Sequence, residues 1–462
     1  MINQNSYITI SLSDLKQNMM VIKTGNIPVW RKNKTGQFVI VPLEKLEQFL
    51  GDNEKTDIVF FIDEEWKTQI ITGDEDAIKK MIIGQNRVSN TGAEFYQEKR
   101  IEFQKMTPLQ RDKKYQSVLF SLQSIESSKK DLSEELLVNL IEAVSDAFVL
   151  NKATFEENYE DSSNVSSDHI KAMARNTTSL VQSIMGIFKN SSATNNFINM
   201  LGEKSTGSTL DHMNSVFLIF LPLCYFYNSY FAKGKIARIR SEYRSKYYKY
   251  YQKLIPENPP ESLEDVFNGG MREIPMDKLL QFSIGALLHD IGKIDNIDYF
   301  EGQGAYDRKI IMKHAPISYN MIVKTREFDS EVALLAALHH EYYNDPAGYG
   351  ISKILFPDST RKFKTPQYCL TYDISEIKNG RALAYVPIKL LEIVDVFDAL
   401  TDKTRRYREK EFSIDEALEI MKNDFIEKSL KIDPILFTIF LDYINSHSVL
   451  KDKTLLQKLM IK

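Results

Sequence analysis

The chain holds little cysteine. Its 462 residues include two, Cys224 and Cys369, each among apolar or aromatic neighbours and not in a CxxC pair. That excludes a disulfide framework and a thiolate zinc site, and it points to a reducing compartment. Charge of one sign is lacking as well. The formal net charge is −4, so no global field draws the chain toward nucleic acid or an acidic membrane. The opening stretch MINQNSYITISLSDL has neither a basic region nor an apolar one, so no signal peptide is expected. The most hydrophobic run, VFLIFLPLCYFY at 216–227, contains Pro222 and is shorter than the ~20 residues of a membrane span. It reads as a buried helix. No membrane segment is expected, and the expected location is the cytoplasm. No internal repeat is found.

What is there is an ordinary globular composition, 43% hydrophobic and 26% charged, in a chain too long for one typical domain. The expected class is mainly α, in three parts. Residues 1–92 form a small N-terminal α+β module, with strand-like runs SYITISL, MMVIKT, GQFVIVP and DIVFFID and helical patterns LEKLEQFL and EDAIKKMII. Residues 93–200 form a helical linker region, interrupted by a polar loop expected near 154–169. Residues 201–462 form an all-helical C-terminal domain. Within it, Lys233–Lys253 carries eight Lys/Arg, one acid (Glu242) and five tyrosines. Nucleic-acid binding is conceivable there. A charged helix with its tyrosines packed on the core, or a dimer contact, is favoured.

The chemistry gathers around histidine. Of seven histidines, His169 and His447 sit in polar surroundings and are expected at the surface. The other five lie in patterned contexts. LLQFSIGALLHDIGKID has apolar residues at helical spacing and ends in His289-Asp290. An adjacent imidazole and carboxylate can ligate one metal, and the second carboxylate oxygen can reach another. Gly292 permits a turn there, and Lys293 places a cation beside the pair. The plain alternative is a polar helix end favoured by the dipole. DRKIIMKHAPIS is expected to be a helix with His314 near its middle, and SEVALLAALHHEYY ends an apolar helix in His339 and His340. IKLLEIVDVFDALTD buries Asp395 in an almost wholly apolar helix, with Asp398 one turn on to support the same face. A buried carboxylate needs a metal or a partner, and Arg405 or Arg406 is the plain alternative. A ligand set of His and Asp without thiolate suits iron, manganese, nickel or zinc in reactive sites.

With these motifs, the chain resembles the HD superfamily of metal-dependent phosphohydrolases and, more closely, its HD-GYP branch, which hydrolyses cyclic-di-GMP. The order carries it: His212 in LDHMNSV, then HDIGK, His314, His339-His340 and VDVFDALTD, followed by EFSIDEALEIMKND and KIDPILFTIFLDYI. The resemblance covers about residues 195–450. It implies that His212, His289, Asp290 and Asp395 hold one metal, and that Asp290 bridges to a second held by His314, His339 and His340. Some relatives hold a third metal through a glutamate one turn before the first histidine. That position is Ser208 here, so two divalent ions are expected, iron or manganese ahead of nickel and zinc.

The resemblance further implies cleavage of the cyclic dinucleotide to the linear dinucleotide, and on to mononucleotides, by a binuclear-metal hydroxide. Asp290 and Lys293 are the expected catalytic residues. Lys293, Asp345, Gly348, Tyr349, Lys403 and Arg406 are the expected substrate contacts, with Arg406 offering a bidentate fork to phosphate. Expected partners are the dinucleotide and, as an option, a second copy of the chain. No nucleic-acid polymer is expected. Several features depart from the family pattern. Gly350 stands where the signature has proline, and one residue is added between Glu341 and the Gly-Tyr pair. His212 and His289 lie 77 residues apart, which marks the Tyr/Lys-rich segment and the proline-rich IPENPPESLED as an insertion. A di-iron oxygenase, a cyclic-dinucleotide sensor without turnover, and a hydrolase of another phosphodiester are the competing readings.

Overall fold

The computed structural model describes residues 7–11, 15, 22, 29–32, 38–42, 45–46, 59–63, 99–127, 134–160, 165–190, 197–204, 209–293, 312–343, 351–355, 366–402, 412–448, 454–459 and 461. Ser208, Asp345, Gly348, Tyr349, Gly350, Lys403, Arg405 and Arg406, all singled out above, lie outside them, as does EDAIKKMII. The chain divides into two compact units, Met1–Thr91 and Gly92–Lys462.

The first unit holds an antiparallel sheet of β1 (Tyr7–Ile10), β2 (Trp30–Lys32), β3 (Phe38–Ile40) and β4 (Phe60–Asp63), in the order β1-β4-β2-β3. Tyr7 pairs with Asp63, and Trp30 with both Ile40 and Phe61. Phe60 and Ile62 alternate inward, as the two-residue period of a strand requires. The run MMVIKT was expected to be a strand. Its Ile22 is helical and fully buried, and the strand at the sheet's centre is the later Trp30–Lys32. A short apolar run fits either element by periodicity alone, so tertiary packing decides.

The second unit is mainly helical and has one continuous core from Phe103 to Ile461. Helices α1 (Pro108–Ser127), α2 (Glu134–Glu160) and α3 (Ser167–Asn190) pack on one another. The loop expected near 154–169 is shorter than the sequence implied. Helix α2 runs on to Glu160, because Phe155 is fully buried and draws the polar stretch onto the core. α4 (Thr209–Ala232) contains the apolar run and keeps Pro222 inside it. Leu210–Ala232 is long and apolar enough to cross a membrane by length and composition, and most of it is buried inside this fold.

Four further helices position the site. α5 (Met276–Leu288) packs on α4 and α3, α6 (His314–Thr325) on α2, α7 (Ser330–Leu338) on α5 and α6, and α8 (Val386–Thr401) on α4 and α7. Among the described residues, the unit's strands are β5 (Tyr368–Thr371) and β6 (Ala382–Tyr385), a parallel pair. β6 runs straight into α8, whose first turn carries Pro387, where a missing N–H costs nothing. α9 (Pro434–His447) is capped by the Asp433 carboxylate, which accepts from the Ile435 and Leu436 N–H groups.

The Tyr/Lys-rich segment packs its rings inward. Tyr243, Tyr247, Tyr250 and Tyr251 are buried, while Arg238, Arg240 and Arg244 stay exposed. Tyr251 donates to Asp433 at 2.9 Å and Tyr243 to the Pro260 carbonyl at 2.7 Å. His447 differs from its expected surface position. Its ring lies 4.6 Å from that of Tyr443 and burial lowers its pKa, because α9 turns its last residues onto α4.

Candidate metal centre

Each of five helical segments delivers one part of the cluster. α4 supplies His212 in its first turn. The end of α5 supplies His289 and Asp290, the start of α6 supplies His314, and the end of α7 supplies His339 and His340. The middle of α8 supplies Asp395. His314 had been expected mid-helix, but the described helix begins with it. That places its ring at the mouth of the helix, beside the end of α5.

Gly292 makes this meeting possible, for a reason the sequence did not show. A Cβ there would lie 2.4 Å from the Ser318 nitrogen and 2.6 Å from the His314 carbonyl oxygen. The turn after Asp290 therefore runs directly against α6, and the Gly292 N–H donates to the Ser318 hydroxyl at 2.9 Å. Glycine is required for close approach rather than for a special turn.

The tautomers follow from hydrogen bonding. Nδ1 of His289 lies 2.8 Å from the Ala286 carbonyl oxygen, and Nδ1 of His339 lies 2.8 Å from that of Ala336. A carbonyl can only accept, so Nδ1 carries the proton and Nε2 presents a lone pair. Nδ1 of His212 lies 2.6 Å from the Asp398 carboxylate, which orients that ring in the same manner. All three lone pairs converge on Asp290.

Asp290 stands between two trios. Its Oδ2 is 3.4 Å from Nε2 of both His212 and His289, and its Oδ1 is 3.0 Å from Nε2 of His314 and 3.6 Å from that of His339. His212, His289 and Asp395 can offer ligand atoms within 4.8 Å of one another, as can His314, His339 and His340. Lys293 reaches Oδ2 of Asp290 at 2.5 Å. Burial opposes the charge on Asp290, but Lys293, His289 and His314 hold its carboxyl well below the usual range. Burial also opposes the charge on Asp395, but the nearby His212 and His340 rings hold it low. Burial, with His339 beside it, keeps His340 neutral.

This donor set fits divalent cations. Buried and without a hydrogen-bond partner among the described residues are Nε2 of His289 and Oδ1 of Asp290. Buried polar atoms of native proteins are nearly always satisfied, and these two point at each other's neighbourhood with lone pairs only. Five imidazoles and two carboxylates of this kind repel one another unless positive charge lies between them.

Sequence reasoning missed several supporting groups. Lys389 and Glu392 are fully buried on α8 and pair at 2.8 Å. Lys389 also donates to the Glu341 carbonyl at 2.8 Å and lies over the Tyr343 ring, fixing the chain that leaves His340. Two charges three residues apart in an apolar helix were the available signal. Glu341, the residue after His340, accepts from the Ile351 N–H and the Ser352 hydroxyl. Lys152 of α2 donates to the Lys293 carbonyl, a contact that sequence spacing cannot reveal.

Residues 272–402 match the family model of the HD domain. No curated protein and no solved structure matches the chain. The matched segment contains His289, Asp290, His314, His339, His340 and Asp395, and His212 reaches the cluster from α4, which precedes it. Most of the converging imidazoles and carboxylates thus lie within the segment that matches the HD domain model.

Proposed function

We propose that the chain is a phosphodiesterase for a cyclic dinucleotide, with cyclic-di-GMP the leading substrate, working through two divalent ions. The observation that carries this reading is the division of Asp290, one oxygen toward each histidine trio. His212, His289 and Asp395 would hold one ion, and His314, His339 and His340 the other. Ions so held lower the pKa of water and act as Lewis acids on a phosphoryl oxygen.

The chain's own residues do the rest. The Lys293 ammonium lies on the Asp290 side and adds positive charge where a phosphoryl oxygen would gain negative charge. Asp398 and the two backbone carbonyls keep the rings from turning away. The substrate contacts are assigned by resemblance to Asp345, Gly348, Tyr349, Lys403 and Arg406. The choice of cyclic-di-GMP rests on the HD-GYP-like order of His212, HDIGK, HH and VDVFDALTD.

The test is to incubate the metal-free chain, with added manganese or iron, with cyclic-di-GMP and to separate the products. Linear dinucleotide should appear with metal and vanish with chelator, and Asp290→Ala should abolish it. Binding without product in the metal-loaded chain would instead establish the sensor. Turnover of another phosphodiester alone would reassign the substrate.

A further inference from the structure

Lys152 stands outside the segment that matches the HD domain model, yet it reaches the centre. It lies on α2 and is 2% exposed. Its ammonium donates to the Lys293 carbonyl and lies 3.8 Å from the Glu156 carboxylate. An ammonium is costly to bury, and an apolar side chain of like size would pack there at lower cost. What an apolar side chain cannot do is donate to a carbonyl.

That carbonyl belongs to the residue whose ammonium sits on Asp290. Lys293 is held at both ends of its backbone. Its N–H donates to the Asp290 carbonyl at 2.9 Å, and its carbonyl accepts from Lys152. From this held backbone the side chain reaches Oδ2 of Asp290 at 2.5 Å. Lys152 is braced in turn by Glu156, one helical turn on, which also accepts from Gln104 at 3.2 Å and Arg100 at 3.4 Å. The same face of α2 touches the other side of the centre. Ser145, two turns before Lys152, accepts at 2.6 Å from Asn214, which follows His212 closely on α4.

We propose that Lys152 is a positioning residue of the centre. Its ammonium fixes the Lys293 carbonyl, and through it the place of the Lys293 ammonium beside Asp290. Helix α2 then belongs to the working unit of the site, although it lies well outside residues 272–402. The catalytic consequence rests on the hydrolase reading above; the positioning itself does not.

Replacing Lys152 with methionine in the full chain tests it, with two readouts. The first is hydrogen exchange in metal-free protein. Lys152→Met should speed exchange of the Lys293 amide by about tenfold and leave the Val332–Leu338 amides of α7 unchanged. The second is turnover of bis(4-nitrophenyl) phosphate with manganese. Lys152→Met should lower kcat by about tenfold, with KM nearly unchanged. In a Lys293→Met background the same substitution should cost less than about twofold, because its effect passes through Lys293. A merely structural lysine would cost the same in both backgrounds. If Lys152→Met does not fold, Lys152→Met with Glu156→Gln, which strands no carboxylate, enters both experiments in its place. Unchanged exchange at Lys293, unchanged kcat, or equal losses in the two backgrounds would each overturn the proposal. A parent chain that hydrolyses no phosphodiester would refute the hydrolase reading alone, and the exchange result would then decide the positioning.

Discussion

Replacing Gly292 with alanine probes the assembly of the centre more directly than removing any ligand. Ordinary contact begins near 3.4 Å, and the added carbon would sit 2.4 Å from the Ser318 nitrogen and 2.6 Å from the His314 carbonyl. Both obstacles are backbone atoms in the first turns of α6, so no rotamer change relieves them. The end of α5 and the start of α6 must separate by about 1 Å, and overpacking of this kind costs about 1–3 kcal/mol. The same movement stretches the 3.0 Å approach of His314 to Asp290, and a misplacement of that size costs about 10²-fold in rate. Gly285→Ala is a graded control, since its Cβ would meet only the Leu335 side chain at 2.9 Å. Gly202→Ala is a neutral one, since nothing lies within 4 Å, and removing a helical glycine there should stabilise by up to about 1 kcal/mol. Urea unfolding of the three variants, with phosphodiester turnover at fixed manganese, provides both readouts. If Gly292→Ala matches Gly202→Ala in stability and turnover, the account of how the two helices meet is wrong.

Asp398→Ala should lower metal affinity by about 10–100-fold, read by chelator competition, because the 2.6 Å contact that orients His212 is lost. Unchanged affinity would make Asp398 incidental. Lys389→Met strands the buried Glu392 carboxyl, which burial already pushes up, and should cost about 3–5 kcal/mol, while Lys389→Met with Glu392→Leu should recover most of it. A double variant no better than the single one would refute the pairing argument. Burial raises Asp433 from 3.8 to about 6, against the N–H groups of Leu436 and Ile435 and the Tyr251 hydroxyl. For an acid raised in the folded state, the stabilising contribution is full below 3.8 and is lost as pH rises through about 6. Asp433→Asn removes this titration, so its stability relative to the parent should rise by about 3 kcal/mol from acid to neutral pH. A flat difference in denaturant titrations across that range would contradict it.

The sequence by itself was enough to list the candidate ligands. Histidines and aspartates at the ends or in the middle of apolar helical runs mark themselves, because such helices tolerate few polar groups without a partner. It also separated the strand-rich N-terminal unit from the helical remainder, since periods of two and of 3.6 residues differ plainly over long stretches. It misjudged Ile22, the start of the His314 helix and the loop after Phe155. Each is a local ambiguity that contacts distant in sequence resolve. Only the tertiary structure showed that Asp290 turns one oxygen to each trio, that Gly292 lets α6 approach, and that Lys152 and Lys389 hold the chain on either side of the centre. Those facts depend on distances between residues far apart in sequence, such as Gly292 to Ser318, 26 positions apart, and Lys152 to Lys293, 141 apart. Helical periodicity tells which face of a helix is buried, not which neighbour it is buried against.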